Sequence, residues 1–418
     1  MRSSRSKVIA VCLMLAAAVL ARPERAAAQA NFRDLVFAGY QGWFAAPGDG
    51  SLETWDHWNK NQTPQKGRVT FELFPDLREY QSHDLFPTGL GLIGGKTPAA
   101  LFSSDREGVI NTHFKWMAEY GIDGVGLQRF VNEISSSPRH LKWRNGVAAK
   151  VRKYSEIYKR YFYVTYDLSG ANAQTLVQDI QRDFENELTT RLGVFRSPFY
   201  ARQGGRPVIG LWGLGFRDRP VTIAQAQTLI RWFQQKGFFV MGGVPWHWQQ
   251  EKPWHDTFFM LNMVQPWGVG AYATLPDVDH HAQNIWHQDR LILSAKGVDY
   301  QRVIFPGFAW SNWNGGARNM IPRRGGEFLW RQAVHVAAQR MSAFIAMFDE
   351  YDEGTAIAKA AEDASMIPAD QYFLTLDADG IKMDSDFYLR LSGAATLMIK
   401  GQRSVTTKIP VPYRKGSL

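Results

Sequence analysis

The stretch FDEYDEGTA, residues 348–356, places Asp349, Glu350, Asp352 and Glu353 within five positions, directly after the apolar run Ala343–Met347. Cleaving a glycosidic bond takes two carboxyl groups, one protonated to assist the departing oxygen and one ionised. Crowding carboxylates in a dry cleft raises the pKa of at least one of them and so supplies that pair. Glu350 and Glu353, three residues apart, can reach one substrate from a single turn. Asp349 and Asp352 repeat the spacing on another side of the turn, where they can cap or orient. A following helix would also attract acids to its positive end, which accounts for one or two carboxylates but poorly for four. A calcium loop would need a D-x-D-x-D-G run, and none is present here.

The rest of the sequence removes several competitors. Arg2, Arg5 and Lys7 precede the short apolar stretch Val8–Leu20, and Ala26-Ala27-Ala28-Gln29-Ala30 offers a small-residue cleavage site. Residues 1–30 therefore read as a signal peptide, too short in its apolar part to anchor in a bilayer. The single cysteine, Cys12, lies inside it, so the mature chain is expected to have no disulfide, no thiolate metal site and no cysteine nucleophile. Removing the leader deletes five basic residues and one acidic residue, and the formal charge falls from +9 to +5. The remaining Lys and Arg are scattered, which gives no footprint for nucleic acid. No H-E-x-x-H, G-x-S-x-G, P-loop or G-x-G-x-x-G motif occurs. No metal and no cofactor is expected. The Asp-Gly of Leu376-Asp377-Ala378-Asp379-Gly380 reads as a hairpin turn joining Tyr372–Leu376 to Ile381–Met383.

The carboxylates need a scaffold, and eight short apolar runs provide one: Val36–Tyr40, Gly124–Gln128, Phe162–Asp167, Val208–Trp212, Phe238–Val244, Met263–Val269, Val303–Ala309 and Ala343–Phe348. Segments with helical patterning separate most of them, including a helix ending at Gly121, one starting near Thr222, and others over His281–Lys296 and Glu327–Gln339. Strands alternating with helices pair in parallel through right-handed crossovers, and eight such units predict an α/β fold, a closed (β/α)₈ TIM barrel formed by residues 31–418 as a single domain. More than eighty residues separate the first two strands. This long insertion is aromatic-rich, which argues for a functional loop over disorder.

In such a barrel the chemistry sits at the carboxyl ends of the strands. Those ends and the insertion carry Tyr40, Trp43, Trp55, His57, Gln128, Tyr166, Asp167, Trp212, Trp246, His247 and Trp310. Tryptophan offers a flat apolar face and one N–H donor, which suits the C–H face of a sugar ring. These residues are the expected substrate-binding set, lining an aromatic cleft beside Glu350 and Glu353. Packing in the barrel rim is the competing explanation for each of them taken singly.

Two stretches together resemble glycoside hydrolase family 99, the endo-α-mannosidases, within the wider group of family 71/99-like glycosidases. Phe37-Ala38-Gly39-Tyr40-Gln41-Gly42-Trp43-Phe44, continuing through Asp49-Gly50 to Trp55-Asp56-His57-Trp58, is similar to that family's tyrosine-rich first strand with its D-G and H-W elements. Phe348-Asp349-Glu350-Tyr351-Asp352-Glu353-Gly354-Thr355-Ala356-Ile357 resembles its F-N-E-W-H-E-G-T-Q-I, with both glutamates, the Gly-Thr and the Ile in place. The resemblance implies a (β/α)₈ barrel and metal-independent, retaining cleavage within α-mannosyl chains. It implies that Glu350 is the base on the sugar's own 2-hydroxyl, forming a 1,2-anhydro sugar, and that Glu353 is the acid and then the base that activates water. Asp349, Tyr351, Asp352 and Ala356 stand where the family has Asn, Trp, His and Gln, which changes charge and shape beside both glutamates.

The expectation is an exported glycoside hydrolase, periplasmic or extracellular. It acts on an oligosaccharide or polysaccharide, with no nucleic-acid partner, no membrane after leader removal, and a monomeric state. A hydrolase of another α-linked glycan such as an α-glucan, and a non-catalytic glycan-binding barrel, remain the alternatives.

Overall fold

Eight parallel strands close on themselves in chain order in the computed structural model, which describes residues 30–415. They are β1 Phe37–Tyr40, β2 Gly124–Phe130, β3 Tyr161–Asp167, β4 Arg206–Trp212, β5 Phe239–Pro245, β6 Met263–Trp267, β7 Asp299–Ile304 and β8 Ser342–Ile345. Each pairs with its sequence neighbours, β1 pairs with β8, and β3 pairs with β4 across Val164–Asp167, which completes the ring. The expected (β/α)₈ barrel is thus present. The expected leader and Cys12 lie outside the described residues, apart from Ala30. Among the described residues no helix is long and apolar enough to cross a membrane.

The strands read as apolar runs because helices cover their outer faces while side chains fill the interior. Local chemistry sets the crossovers. The helix Glu107–Tyr120 stops at Gly121, whose φ of +74° is open to glycine at little cost. Thr222 and Gln225 form a reciprocal capping box that starts Ile223–Gln235. Pro138 opens the long helix Pro138–Tyr158, capped by Ser137. Phe32 packs across the amino-terminal end of the barrel against Phe37 and Tyr163, with ring centroids 4.8 and 5.1 Å away.

Three expectations need correction. The seventh strand is Asp299–Ile304, not Val303–Ala309, because its polar opening is buried and satisfied. Gln301 accepts from Gln265 inside the barrel at 2.7 Å, and the Arg302 guanidinium lies 4.7 Å over Trp286 outside it. The helix expected over His281–Lys296 begins earlier, at Leu275, where Thr274 and Asp277 form another capping box. The Asp-Gly stretch does turn, with Gly380 N donating to Asp377 O, but no hairpin forms. Leu374 instead bridges Leu73 of the insertion, and Asp379 accepts from Asn319 and from the Arg324 amide. The insertion after β1 carries an antiparallel hairpin of its own, Leu85–Ile93 with Thr97–Phe102.

Candidate active site

Beyond β8 the chain folds into a tight loop closed by Ile357 N donating to Met347 O at 3.0 Å. Residues 351–354 form its turn, and Gly354 sits at φ +62° with a Cβ position only 3.2 Å from Ala309 O, so glycine is required there. No helix starts at this turn, which removes the helix-terminus explanation of the four acids. The loop is tied on three sides. Ala309 N, just past β7, donates to Glu353 O at 2.9 Å. Phe348 N donates to Gly39 O of β1 at 2.7 Å. The buried Arg323 donates from Nη2 to Gly354 O and Ala356 O at 2.8 and 2.7 Å.

The four carboxyls have different partners. Asp349 is fully buried and accepts the backbone N–H groups of Gln41 and Gly42 at 2.7 and 2.9 Å. It fixes the end of β1. Glu350 accepts Gln41 Nε2 at 2.8 Å and Thr355 Oγ1 at 2.6 Å. Asp352 Oδ2 meets His57 Nδ1 at 3.0 Å, and its Oδ1 is buried without a partner. The carboxylate of Glu353 accepts no hydrogen bond from the described residues and is the more open of the two glutamates.

Burial dominates the titration of all four. It pushes Asp349 up to about 7 against the pull of its two backbone donors. Burial and then the Asp352 charge push Glu350 up to about 8, while Thr355 and Gln41 pull the other way. Asp352 and Glu353 are raised well above the usual carboxyl range, Glu353 by burial and then by the charges of Glu350 and Asp352. The cluster therefore titrates as a unit that holds protons near neutrality. Donors stabilise the ionised form, so of the two glutamates Glu350 is the first to give up its proton, and Glu353, which has no donor, keeps its proton longer.

Strand alternation decides which of the other expected residues reach the mouth. Phe37 and Tyr163 face the barrel interior, where their rings meet at 5.2 Å. Gln41 continues the face of Phe37 and Gly39, Gln128 that of Gly126, and Asp167 that of Tyr163. Tyr40 and Tyr166 fall on the opposite parity, contrary to their expected role in substrate binding. Tyr40 bonds through its hydroxyl to His113 at 2.8 Å beneath the helix Glu107–Tyr120, and Tyr166 donates to Asp183 at 2.8 Å behind the sheet. Both are fully buried. Trp55 is likewise packed into the core of the insertion. These three are structural.

The others lie around the mouth. His57, at φ +57°, stacks on Trp43 with centroids 3.7 Å apart, between the insertion and the acidic turn. Burial lowers its pKa, which favours the neutral ring. Gln128 Oε1 and the indole N–H groups of Trp43, Trp212 and Trp310 are buried with no protein partner. Asp167 is pushed up to about 6 by burial. Trp246 and His247 line a cavity beyond β5. Another cavity, of about 710 Å³, opens at the amino-terminal end of the barrel between Arg33, Asp299 and Lys400, and none of the candidate residues lines it.

Gln41, Thr355, Arg323 and Arg144 were not among the expected site residues. Arg144 reaches from the helix Pro138–Tyr158 to donate to Gln41 O at 2.8 Å. Gln41 and Thr355 lie within the two motif stretches and were legible there, whereas nothing local to Arg323 or Arg144 marks them. Asp56, His57 and Glu133 are the group among the described residues whose ligand atoms come close enough for a metal, within 4.8 Å of one another, but Arg144 Nε already bonds Glu133.

No family model matches the sequence, and no curated protein does. The fold matches two solved structures of the family 99 endo-α-mannosidase from Bacteroides thetaiotaomicron. One aligns at 13% identity over 89% of this chain and 99% of that one, with a TM-score of 0.63. The other, in complex with BIS-TRIS-propane, aligns at 14% identity over the same shares, with a TM-score of 0.62. A glycoside hydrolase-like protein aligns at 13% identity over 79% of this chain and 93% of its own, with a TM-score of 0.52. At these identities the likeness establishes the barrel.

Proposed function

We propose that this chain is an exported glycoside hydrolase that cleaves α-linked glycans, α-mannosides foremost, within the chain and with retention of configuration. The observation that carries the reading is the unequal environment of two glutamates on one turn. Glu350, with Gln41 and Thr355 as donors to its ionised form, is the glutamate that gives up its proton first, while Glu353, partly open to the mouth and without a donor, retains its proton. That is the division of labour an acid and a base require.

In the first step Glu350 takes the proton of the sugar's 2-hydroxyl, O2 attacks the anomeric carbon, and the bond to the leaving oxygen breaks as Glu353 protonates it. In the second step Glu353, now ionised, takes a proton from water. The water attacks the anomeric carbon of the 1,2-anhydro sugar, the bond from that carbon to O2 breaks, and Glu350 returns the proton to O2. The two inversions give net retention. The extra carboxyl of Asp352 helps keep the Glu353 proton in place through its charge.

Mass spectrometry of products from α-mannan, α-glucan and mixed plant glycans tests this, with Glu353→Gln as control. Oligosaccharides that vanish in the variant are the expected result and name the polymer. Silence on every glycan, with binding retained by calorimetry, would overturn hydrolysis and leave a glycan-binding barrel.

A further inference from the structure

The strands run round the ring in chain order, so the acidic turn beyond β8 lies across the mouth from the ends of β4 and β5. Strands about 4.8 Å apart and tilted by about 36° close at a diameter of roughly 15 Å. On that far side the loops after β4, β5 and β6 enclose a half-open cavity of about 390 Å³. Its walls include two indoles, Trp246 and Trp267, and Trp267 stands edge-on to Trp212 at 5.4 Å. Trp212 faces inward, so aromatic surface extends from this cavity toward the barrel axis.

The polar groups of the cavity are placed short of one another. His247 Nδ1 is buried with no hydrogen-bond partner. Glu251 Oε1 lies 3.6 Å from it and 3.7 Å from Arg217 Nη2, both too long for a direct hydrogen bond. A hydroxyl oxygen seated between Glu251 and either neighbour would be within hydrogen-bond reach of both. One carboxylate faces one guanidinium, so the cavity favours neither an anion nor a cation. Two indole faces beside a balanced set of donors and acceptors suit a pyranose, which is apolar on its faces and polar at its rim.

We propose that this cavity is a distal glycan subsite, holding a sugar unit of the same chain whose scissile bond sits at Glu350 and Glu353. The inference rests on the hydrolase reading for its direction. It narrows the substrate class to oligosaccharides long enough to cross the mouth, with Trp246 as the stacking platform and His247 and Glu251 as hydroxyl partners.

The test is calorimetric binding of α-manno- and α-gluco-oligosaccharides, graded from disaccharide to hexasaccharide, to the Glu353→Gln protein with and without Trp246→Ala. Affinity is expected to step up at the length that first spans the mouth. Trp246→Ala should remove that step, a loss of about tenfold, the equivalent of one aromatic contact. Glu251→Gln, nearly isosteric, should weaken the same step and serves if Trp246→Ala fails to fold. An identical length dependence in all three proteins would overturn the subsite. Its failure is distinct from failure of the hydrolase reading, because a protein that cleaves nothing can still show the step, and one that cleaves can lack it.

Discussion

Gln41 and Glu350, 309 residues apart, meet where β1 and β8 close the barrel, with Gln41 Nε2 donating to Glu350 Oε1 at 2.8 Å. The same residue's amide donates to Asp349, and its carbonyl accepts from Arg144. One side chain from the start of the barrel therefore joins Thr355 in favouring the ionised form of a carboxyl at its end, against burial and the Asp352 charge. Its removal deprives Glu350 of a donor to its ionised form. In Gln41→Ala, kcat/KM on the cleaved glycan should fall about 10- to 100-fold, the equivalent of losing a hydrogen bond to a charged group. The acid limb of the pH–rate profile should also move to higher pH. An unshifted acid limb would show that Gln41 does not tune the base.

The two glutamates should separate on leaving-group chemistry. A departing oxygen that is already a weak base needs no proton, so Glu353→Gln should retain much of its kcat/KM, which reports the first step, on an activated aryl glycoside, while kcat falls because no base activates water in the second. On an unactivated glycan it should lose about 10²- to 10⁴-fold. Glu350→Gln should lose activity on both, since no leaving group replaces the base. Initial rates on paired substrates check this, and equal losses for both variants on both substrates would remove the role assignment.

How much of this was legible in the chain depended on whether the signal was local. The barrel could be read because most β/α units carry their own apolar run and several a local cap or breaker, as at Gly121 and Thr222. The acidic turn could be read because its residues are contiguous. Tyr40 and Tyr166 were misassigned because a strand end carries two parities, and only Gln41 and Asp167 share the interior one. Trp55 was misassigned because composition marks an aromatic-rich insertion without saying which indoles the core takes in. Arg323 and Arg144 act from helices or loops remote in sequence, and no spacing rule reaches them. The start of β7 was hidden by Gln301 and Arg302, polar residues that find partners only after the barrel has closed.

Raised carboxyl pKa values cost stability as pH rises. Glu350 titrates near 8 in the folded chain against an ordinary 4.5, so between those values the native state holds a proton that the unfolded state has released. Stability then falls with pH across that window, and Asp349, near 7, contributes in the same direction at its lower end. Tm should therefore decline from about pH 5 to about pH 8. Glu350→Gln, which has no proton to lose, should flatten the decline and melt several degrees higher than wild type at the alkaline end. Calorimetric scans at graded pH measure this, and parallel curves would contradict it.

Asp352 raises both glutamates through its charge, and His57 holds it. Asp352→Asn keeps an acceptor for the imidazole and removes the charge. Both limbs of the bell-shaped profile of kcat/KM should then move toward acid, since each glutamate loses a repelling neighbour. His57→Ala should behave differently, leaving a buried carboxyl without its partner at a cost of about 1–3 kcal/mol in stability. Denaturant unfolding alongside the pH profile separates the two, and an unmoved profile in Asp352→Asn would assign Asp352 a purely structural part.

Arg323 is the residue whose loss should divide activity from stability. Its Nη2 grips the carbonyls of Gly354 and Ala356, directly after Glu353, and its guanidinium lies 4.4 Å over the Tyr388 ring. Nε and Nη1 are buried with no partner, so the native state already bears an imperfectly solvated cation. Replacing it by Met removes that cost together with the two bonds. The net change in stability should be small, within about 2 kcal/mol, as replacement of a buried charge by a well-packed apolar side chain often is. The turn, however, loses its clamp, and a catalytic carboxyl displaced by about 1 Å can cost on the order of 10²-fold in rate. Arg323→Met should therefore lower kcat far more than it lowers Tm, and Arg323→Lys, which keeps a donor, should recover part of kcat. A large loss of Tm with kcat unchanged would show that the clamp serves the fold and not the position of Glu353.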